Sequence, residues 1–185
     1  MLFLDENEAV PSAHWIDDGV ACGSFASAGC VGGRSRRETR RKALEAAGVT
    51  HVVNCAKELP CAHPASFTYL HVPAADVDGQ DLLGLWAETS DFVDDALAAG
   101  GRVLVHCAGG HSRSGATVVA WLMRRRDLRD ADAALELARA RRPVVKPIPG
   151  FVDQLHAWAD SGFDAPRRAG CVHIPRRQYA AVDRL

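Results

Sequence analysis

One thiol and one guanidinium stand at the two ends of a short glycine-bearing stretch, His106-Cys107-Ala108-Gly109-Gly110-His111-Ser112-Arg113-Ser114. The preceding Arg-Val-Leu-Val-His run reads as a buried strand. The Ser-Gly-Ala-Thr-Val-Val-Ala-Trp-Leu-Met run that follows reads as a helix apolar on nearly all faces. A loop that leaves a strand and enters a helix aims backbone N–H groups at one spot, where the helix dipole adds partial positive charge. Such a loop is an anion cradle by construction. Gly109 and Gly110 are expected to give it the tight, partly left-handed path it needs. Arg113 is expected to close the ring with a planar fork that grips two phosphate oxygens. The same field favours the thiolate form of a cysteine placed as Cys107 is. A thiolate at the bottom of an anion cradle is poised to attack phosphorus in line and form a phosphocysteine. Backbone N–H groups of residues 108–112 and Arg113 would stabilise the equatorial oxygens.

That chemistry also needs a group to protonate the leaving oxygen and then to activate water. The segment Tyr-Leu-His-Val-Pro-Ala-Ala-Asp-Val-Asp-Gly-Gln-Asp offers Asp76, Asp78 and Asp81 on one short loop. Asp81 directly precedes a helical pattern and reads as its N-cap. Ser112 and Ser114 also suit N-cap duty, His106 suits a buried hydrogen-bonding site, and His111 suits an exposed loop position.

Behind these residues, short apolar strands alternate with amphipathic helices. "HVVNC", "FTYLHV" and "RVLVHC" read as strands, and "AHWIDDGVACGS" holds a short apolar segment read as an edge strand. Helices are expected from about residue 36 to 47, stopped by Gly48, and from Asp81 to Gly100. Three more follow the cradle, through "SGATVVAWLMRRR", "RDADAALELARARRP" and "GFVDQLHAWAD". The alternation predicts an α/β domain whose central, mostly parallel sheet of about 4–5 strands is flanked by helices. Residues 1–13 read as a lead-in, 14–162 as the catalytic unit and 163–185 as a C-terminal tail or surface extension.

Twenty-two Lys and Arg balance twenty-three Asp and Glu, so any charge-based specificity must be local, and nothing in the balance favours a nucleic-acid partner. The 48% hydrophobic content suffices for a core. The start lacks the pattern of a signal peptide, and no run is long and apolar enough for a membrane span. A cytoplasmic or nuclear protein is expected. The six cysteines show neither C-x-x-C nor metal-ligand spacing, so neither a metal nor another cofactor is expected. The basic run "RSRRETRRK" reads first as a solvated helix face, and beside that as a dock for an acidic partner, an acidic membrane surface or a second phosphate. Arg124, Arg125 and Arg126 are expected to serve the negative end of their helix.

The stretch "HCAGGHSRSG" resembles the His-Cys-x5-Arg-Ser signature of the cysteine-dependent protein tyrosine phosphatases, in the form of their single-domain, atypical dual-specificity branch. "IDDGVACGSF", "AGVTHVVN" and "RRPVVKPIPGFVDQL" resemble further segments of that family, so the likeness runs from about residue 15 to 158. It implies that Cys107 is the nucleophile, that Arg113 and the backbone of Ala108, Gly109, Gly110, His111 and Ser112 hold the phosphoryl group, and that His106 tunes the thiolate. It further implies that Ser114 helps the thiolate leave and that Asp76 is the general acid. Metal-independent hydrolysis of phosphotyrosine and phosphoserine/phosphothreonine proteins is the activity implied. By the same likeness Cys55, at a strand end, is a candidate to form a disulfide with oxidised Cys107; its other reading is a small core residue. A phosphoinositide or other non-protein phosphate is the alternative substrate, although the cradle interior carries no Lys or Arg. A sulfurtransferase, a redox protein and a non-catalytic phosphate-binding module are the rival classes.

Overall fold

The computed structural model describes residues 13–176; residues 1–12 of the expected lead-in and the last nine residues of the expected tail fall outside them, while Ala13 already belongs to the first strand. The described residues open with a hairpin rather than one edge strand: β1 (Ala13–Asp17) pairs antiparallel with β2 (Val20–Gly23). The turn between them is the Asp-Asp-Gly segment, where Gly19 takes a φ of +80° that suits a tight turn. There follow α1 (Arg34–Ala46), β3 (Val49–Asn54), β4 (Thr68–His71), α2 (Leu83–Ala98), β5 (Arg102–His106), α3 (Arg113–Arg126), α4 (Ala131–Arg141), α5 (Pro149–Asp160) and β6 (Val172–Ile174). The helix stops follow the sequence signals, with Gly48 and Gly100 in the left-handed region just past α1 and α2.

The strands form one sheet in the order β1-β2-β5-β3-β4-β6. β5 lies between β2 and β3 and runs parallel to both, so its Val103, Leu104 and Val105 are buried on two faces. The antiparallel strands are confined to the edges. Six strands exceed the 4–5 expected, because the segment expected to be a tail supplies β6 against β4. The approach to β6 is pinned by Arg168 N–H donating to Gly84 O at 2.9 Å and by ion pairs Arg168–Asp81 (2.8 Å) and Arg167–Asp91 (2.7 Å). A three-residue strand set by such distant partners leaves no periodic signal in the sequence.

One face of the sheet carries α2, α3, α4 and α5 over a core that includes Trp86, Trp121, Phe151 and Trp158. The other face carries α1, whose Leu44 packs with Val52, Phe67 and Tyr69. Every residue from Arg113 to Met123 is buried, as an all-round apolar helix requires. Arg124, Arg125 and Arg126 do lie in the last turn of α3, and two of them make specific bonds as well: Arg124 with Asp91 (2.6 Å) and Arg126 with Asp17 (2.8 Å). This architecture brings the C-terminal end of β5 and the N-terminal end of α3 together at the top of the sheet. Open parallel sheets bind ligands at that edge.

Candidate active site

Cys107 follows β5 directly and is 1% exposed. Its Sγ accepts a hydrogen bond from Gly110 N–H at 3.2 Å and lies 3.2 Å from Ser114 Oγ. Gly110 cannot be replaced by a larger residue in this arrangement, for two reasons. Its φ is +71°, and an added Cβ would stand 2.5 Å from Gly23 C and 2.6 Å from Gly23 O. The two cradle glycines therefore differ. Gly109 is not in the left-handed region, and the atoms nearest its absent side chain belong to the His111 ring, which folds back over it. Among the described residues, no intramolecular acceptor pairs with the backbone N–H groups of Ala108, Gly109, His111 or Ser112. These amides lie at the start of α3, where its dipole is positive.

A second set of contacts holds the guanidinium. Arg113, 4% exposed, meets Glu58 as a fork: Nη1 donates to Oε2 at 2.8 Å and Nη2 to Oε1 at 2.7 Å. Nη1 also donates to Ala74 O at 3.0 Å, and Nε stands 3.9 Å from Asp76 Oδ2. Burial alone would lower the Arg113 pKa, but the bond with Glu58, and then the nearby Cys107 sulfur and Asp76, raise it above its ordinary value. Glu58 is correspondingly held below the usual carboxylate range by Arg113. Ser112 occupies the N-cap position of α3, yet its side chain caps nothing. Its Oγ donates to Asp76 Oδ1 at 2.5 Å and accepts from Ile148 N–H at 3.3 Å. Of the three loop aspartates, Asp76 alone faces the cradle. Asp78 Oδ1 accepts from Gly150 N–H (3.3 Å) at the start of α5. Asp81 Oδ1 accepts from Gly84 N–H (3.0 Å), so its capping role stands, one residue before the position that opens α2.

His106 is fully buried and neither ring nitrogen has a hydrogen-bond partner. Burial lowers its pKa to about 4, and the adjacent Cys107 backbone offsets this only in part. The ring is therefore neutral and makes no bond to the sulfur. Two more cysteines surround the nucleophile position. Cys22 Sγ lies 3.6 Å from Ser114 Oγ, and burial pushes this thiol up to about 11. Cys55, buried with Sγ 3.7 Å from Thr117 Oγ1, is pushed up by burial and then by the Cys107 sulfur. Its contacts fit the core-residue reading, and they place it within electrostatic reach of Cys107.

A protein-family model, the dual specificity phosphatase catalytic domain, matches residues 33–161 and thus spans every element from α1 to α5, leaving β1, β2 and β6 outside. The chain belongs to that family. The family is the metal-independent, cysteine-based branch of protein phosphatases, as the cradle resemblance implied. Dual specificity protein phosphatase 1 of Arabidopsis thaliana is 37% identical over 153 residues, 83% of this chain and 70% of the relative. Protein phosphatase Slingshot homolog 3 of Mus musculus is 43% identical over 110 residues, 60% of this chain but only 17% of the relative. This chain therefore spans a small part of the Slingshot phosphatase. Among solved structures, human DUSP28 superposes with a TM-score of 0.72 at 32% identity, covering 82% of this chain and 95% of that one.

The residues that position the family's cradle here include two that the sequence reading missed. Glu58 sits in an unremarked polar turn after β3, 55 residues before its partner Arg113. Arg142, 2% exposed, donates from Nε to Gly110 O at 2.9 Å and bonds His14 Nδ1 at 2.8 Å. Its only signal was a place inside "RRPVVKPIPGFVDQL", the segment quoted for its family likeness. Among the described residues no cluster of three or more His, Cys, Asp or Glu is arranged to hold a metal, and no helix is long and apolar enough to cross a membrane.

Proposed function

We propose that this chain hydrolyses phosphomonoesters on phosphotyrosine and phosphoserine/phosphothreonine proteins through a phosphocysteine intermediate. The observation that carries the reading is the convergence of Cys107 Sγ, the unpaired cradle amides, the Glu58-held Arg113 and Asp76 on one spot. In the first step Cys107 Sγ attacks phosphorus, the P–O bond to the substrate oxygen breaks, and Asp76 gives that oxygen its proton. Charge on the three equatorial oxygens is met by the amides of residues 108–112 and by Arg113. In the second step Asp76, now a carboxylate, takes a proton from water as the water oxygen attacks phosphorus. The S–P bond breaks and the thiolate returns, with the hydroxyl of Ser114, 3.2 Å away, donating to it. The names of the relatives support the protein substrate class. A cradle interior of Ala, Gly, Gly, His and Ser offers no extra cation for a polyphosphorylated lipid.

The test is hydrolysis of para-nitrophenyl phosphate against pH with chelator present. Wild type turns over, Cys107→Ser is inert, and Asp76→Asn loses ~10²-fold or more in kcat. Turnover surviving in Cys107→Ser would remove the mechanism; an unaffected Asp76→Asn would move the acid to Asp78.

A further inference from the structure

The loop that carries Asp76 is bonded to α5 through two glutamine side chains. Ala75 N–H, next to Asp76, donates to Gln80 Oε1 at 2.9 Å and so closes residues 75–80 on themselves; Gln80 N–H donates to Val77 O at 3.2 Å inside the same turn. Gln80 is held in its turn from outside the loop, its carbonyl accepting from Gln154 Nε2 at 2.8 Å. The other end of that amide, Gln154 Oε1, accepts from Leu82 N–H at 2.8 Å and Leu83 N–H at 2.9 Å, at the start of α2. One turn earlier on the same face of α5, Gly150 N–H donates to Asp78 Oδ1. The start of α5 also reaches the cradle, because Ile148 N–H donates to the Ser112 hydroxyl that bonds Asp76. The adjoining face of α5 carries the buried Phe151, Leu155 and Trp158, and Trp158 Nε1 donates to Ala120 O of α3 at 3.0 Å. One helix therefore touches both the helix that ends the cradle and the loop that bears the acid.

We propose that Gln154 and Gln80 are positioning residues for the general acid: through them α5 sets where Asp76 stands over Cys107, and so sets how well substrates with basic leaving groups are hydrolysed. The proposal rests on the phosphatase reading above, with Asp76 as its acid. Capping accounts for only part of the arrangement. Leu82, the residue that opens α2, has no side chain that can bond the free amides there, and Gln154 Oε1 supplies that acceptor. The bonds from Gln154 Nε2 to Gln80 and from Ala75 to Gln80 Oε1 cap no helix; they run from α5 to the residue beside the acid. They fix the two ends of the loop, while the Asp76 carboxyl between them is held by Ser112 and, at 3.9 Å, by Arg113. Misplacing a reacting group by about 1 Å can cost ~10²-fold. That cost grows with the need for a proton: a tyrosine phenol leaves with a pKa of about 10, a serine or threonine alkoxide is far more basic, and a dinitrophenolate leaves unprotonated.

The experiment compares kcat/KM of the full chain on a phosphoserine peptide, a phosphotyrosine peptide and 2,4-dinitrophenyl phosphate, for Gln154→Leu and Gln80→Leu, each alone and combined with Asp76→Asn. Each glutamine variant should lose ~30-fold on phosphoserine, ~10-fold on phosphotyrosine and less than about twofold on the dinitrophenyl ester, and Asp76→Asn should follow the same order with larger losses. In the Asp76→Asn background either glutamine change should cost less than about twofold more on phosphotyrosine, since the group it positions is already gone. Gln80→Leu removes no helix cap, so its unfolding midpoint should stay at the wild-type value, and it carries the test if Gln154→Leu does not fold. Equal losses on all three substrates would overturn the proposal, as would a full further loss in the Asp76→Asn background; either leaves the glutamines a structural role alone. A wild type inert toward the dinitrophenyl ester would instead overturn the phosphatase reading, and this proposal with it.

Discussion

The cradle is held on two sides by different means. Its sulfur side is packed: Gly110 lies on Gly23 with no room for a methyl group, Arg142 grips the Gly110 carbonyl from beneath, and His106, Cys22 and Cys55 are buried around it. Its arginine side is tied by polar bonds to loops, through Glu58 after β3 and Asp76 after β4, both of them partly solvated. The difference matches two jobs. A nucleophile must be fixed against the phosphorus it attacks, and close packing does that. A general acid must meet leaving groups of different shape, and a loop held by one serine hydroxyl and one distant guanidinium has that latitude.

Substitutions on the packed side should cost folding, and those on the tied side should cost rate. The largest effect is expected for Gly110→Ala, which combines a left-handed φ with a backbone collision and should lose at least about 3 kcal/mol in chemical denaturation. Gly109→Ala should lose less than about 1 kcal/mol, because only the end of an exposed histidine must move. Equal losses would show that the two cradle glycines do not differ as described.

Next comes His106, also on the packed side. Its folded pKa of about 4 lies below its unfolded value near 6.5, so the unfolded chain takes the proton first. The stability that this neutral ring contributes is complete above the unfolded value and is lost as pH falls toward the folded one. Between pH 7.5 and 5 the loss should be about 2 kcal/mol. Burial lowers His14, His51 and His63 as well, so the wild-type slope is a sum. The share due to His106 is the part that disappears in His106→Asn, and an unchanged slope in that variant would contradict the buried neutral ring.

On the tied side, Glu58→Gln should lower kcat/KM about tenfold by loosening Arg113, while unfolding shifts by less than about 1 kcal/mol because Glu58 is half-exposed. A stability loss as large as that of Gly110→Ala would instead make Glu58 part of the packed frame. The smallest effect is expected for Ser112→Ala. Releasing Asp76 should cost roughly fivefold in kcat, on the order of 1 kcal/mol, with folding unchanged. A loss confined to KM would show that the hydroxyl serves substrate rather than the acid.

These two sides were unequally visible in the sequence. The cradle loop could be read because Cys107, the glycines, Ser112, Arg113 and Ser114 all fall between positions 107 and 114, and a strand-to-helix loop has few physical solutions. The long-range contacts on both sides could not, because Arg113–Glu58 on the tied side and Gly110–Arg142 on the packed side join residues 55 and 32 positions apart. Asp81 could be set apart as a helix cap, but Asp76 was separable from Asp78 only through the family likeness; in space, Ser112 and the N-terminal ends of α2 and α5 separate all three. Gly109 was expected to share the left-handed path with Gly110, and does not, since one reversal is enough to turn the loop. In the sheet, periodicity found the buried parallel strands but missed the hairpin at one edge and β6 at the other. Both are short, and their positions follow from a turn and from the Arg167 and Arg168 ion pairs rather than from an apolar repeat.

The central claim is that the reaction passes through a phosphoryl group on Cys107. It is tested most directly by rapid acid quench of Ser114→Ala with an aryl phosphate, followed by peptide mass spectrometry. The account predicts one phosphoryl group on the Cys107 peptide, formed in a burst and decaying at the rate of turnover, and none in Cys107→Ser. Steady turnover with no burst and no phosphopeptide, or phosphate found on His106 or His111, would contradict it.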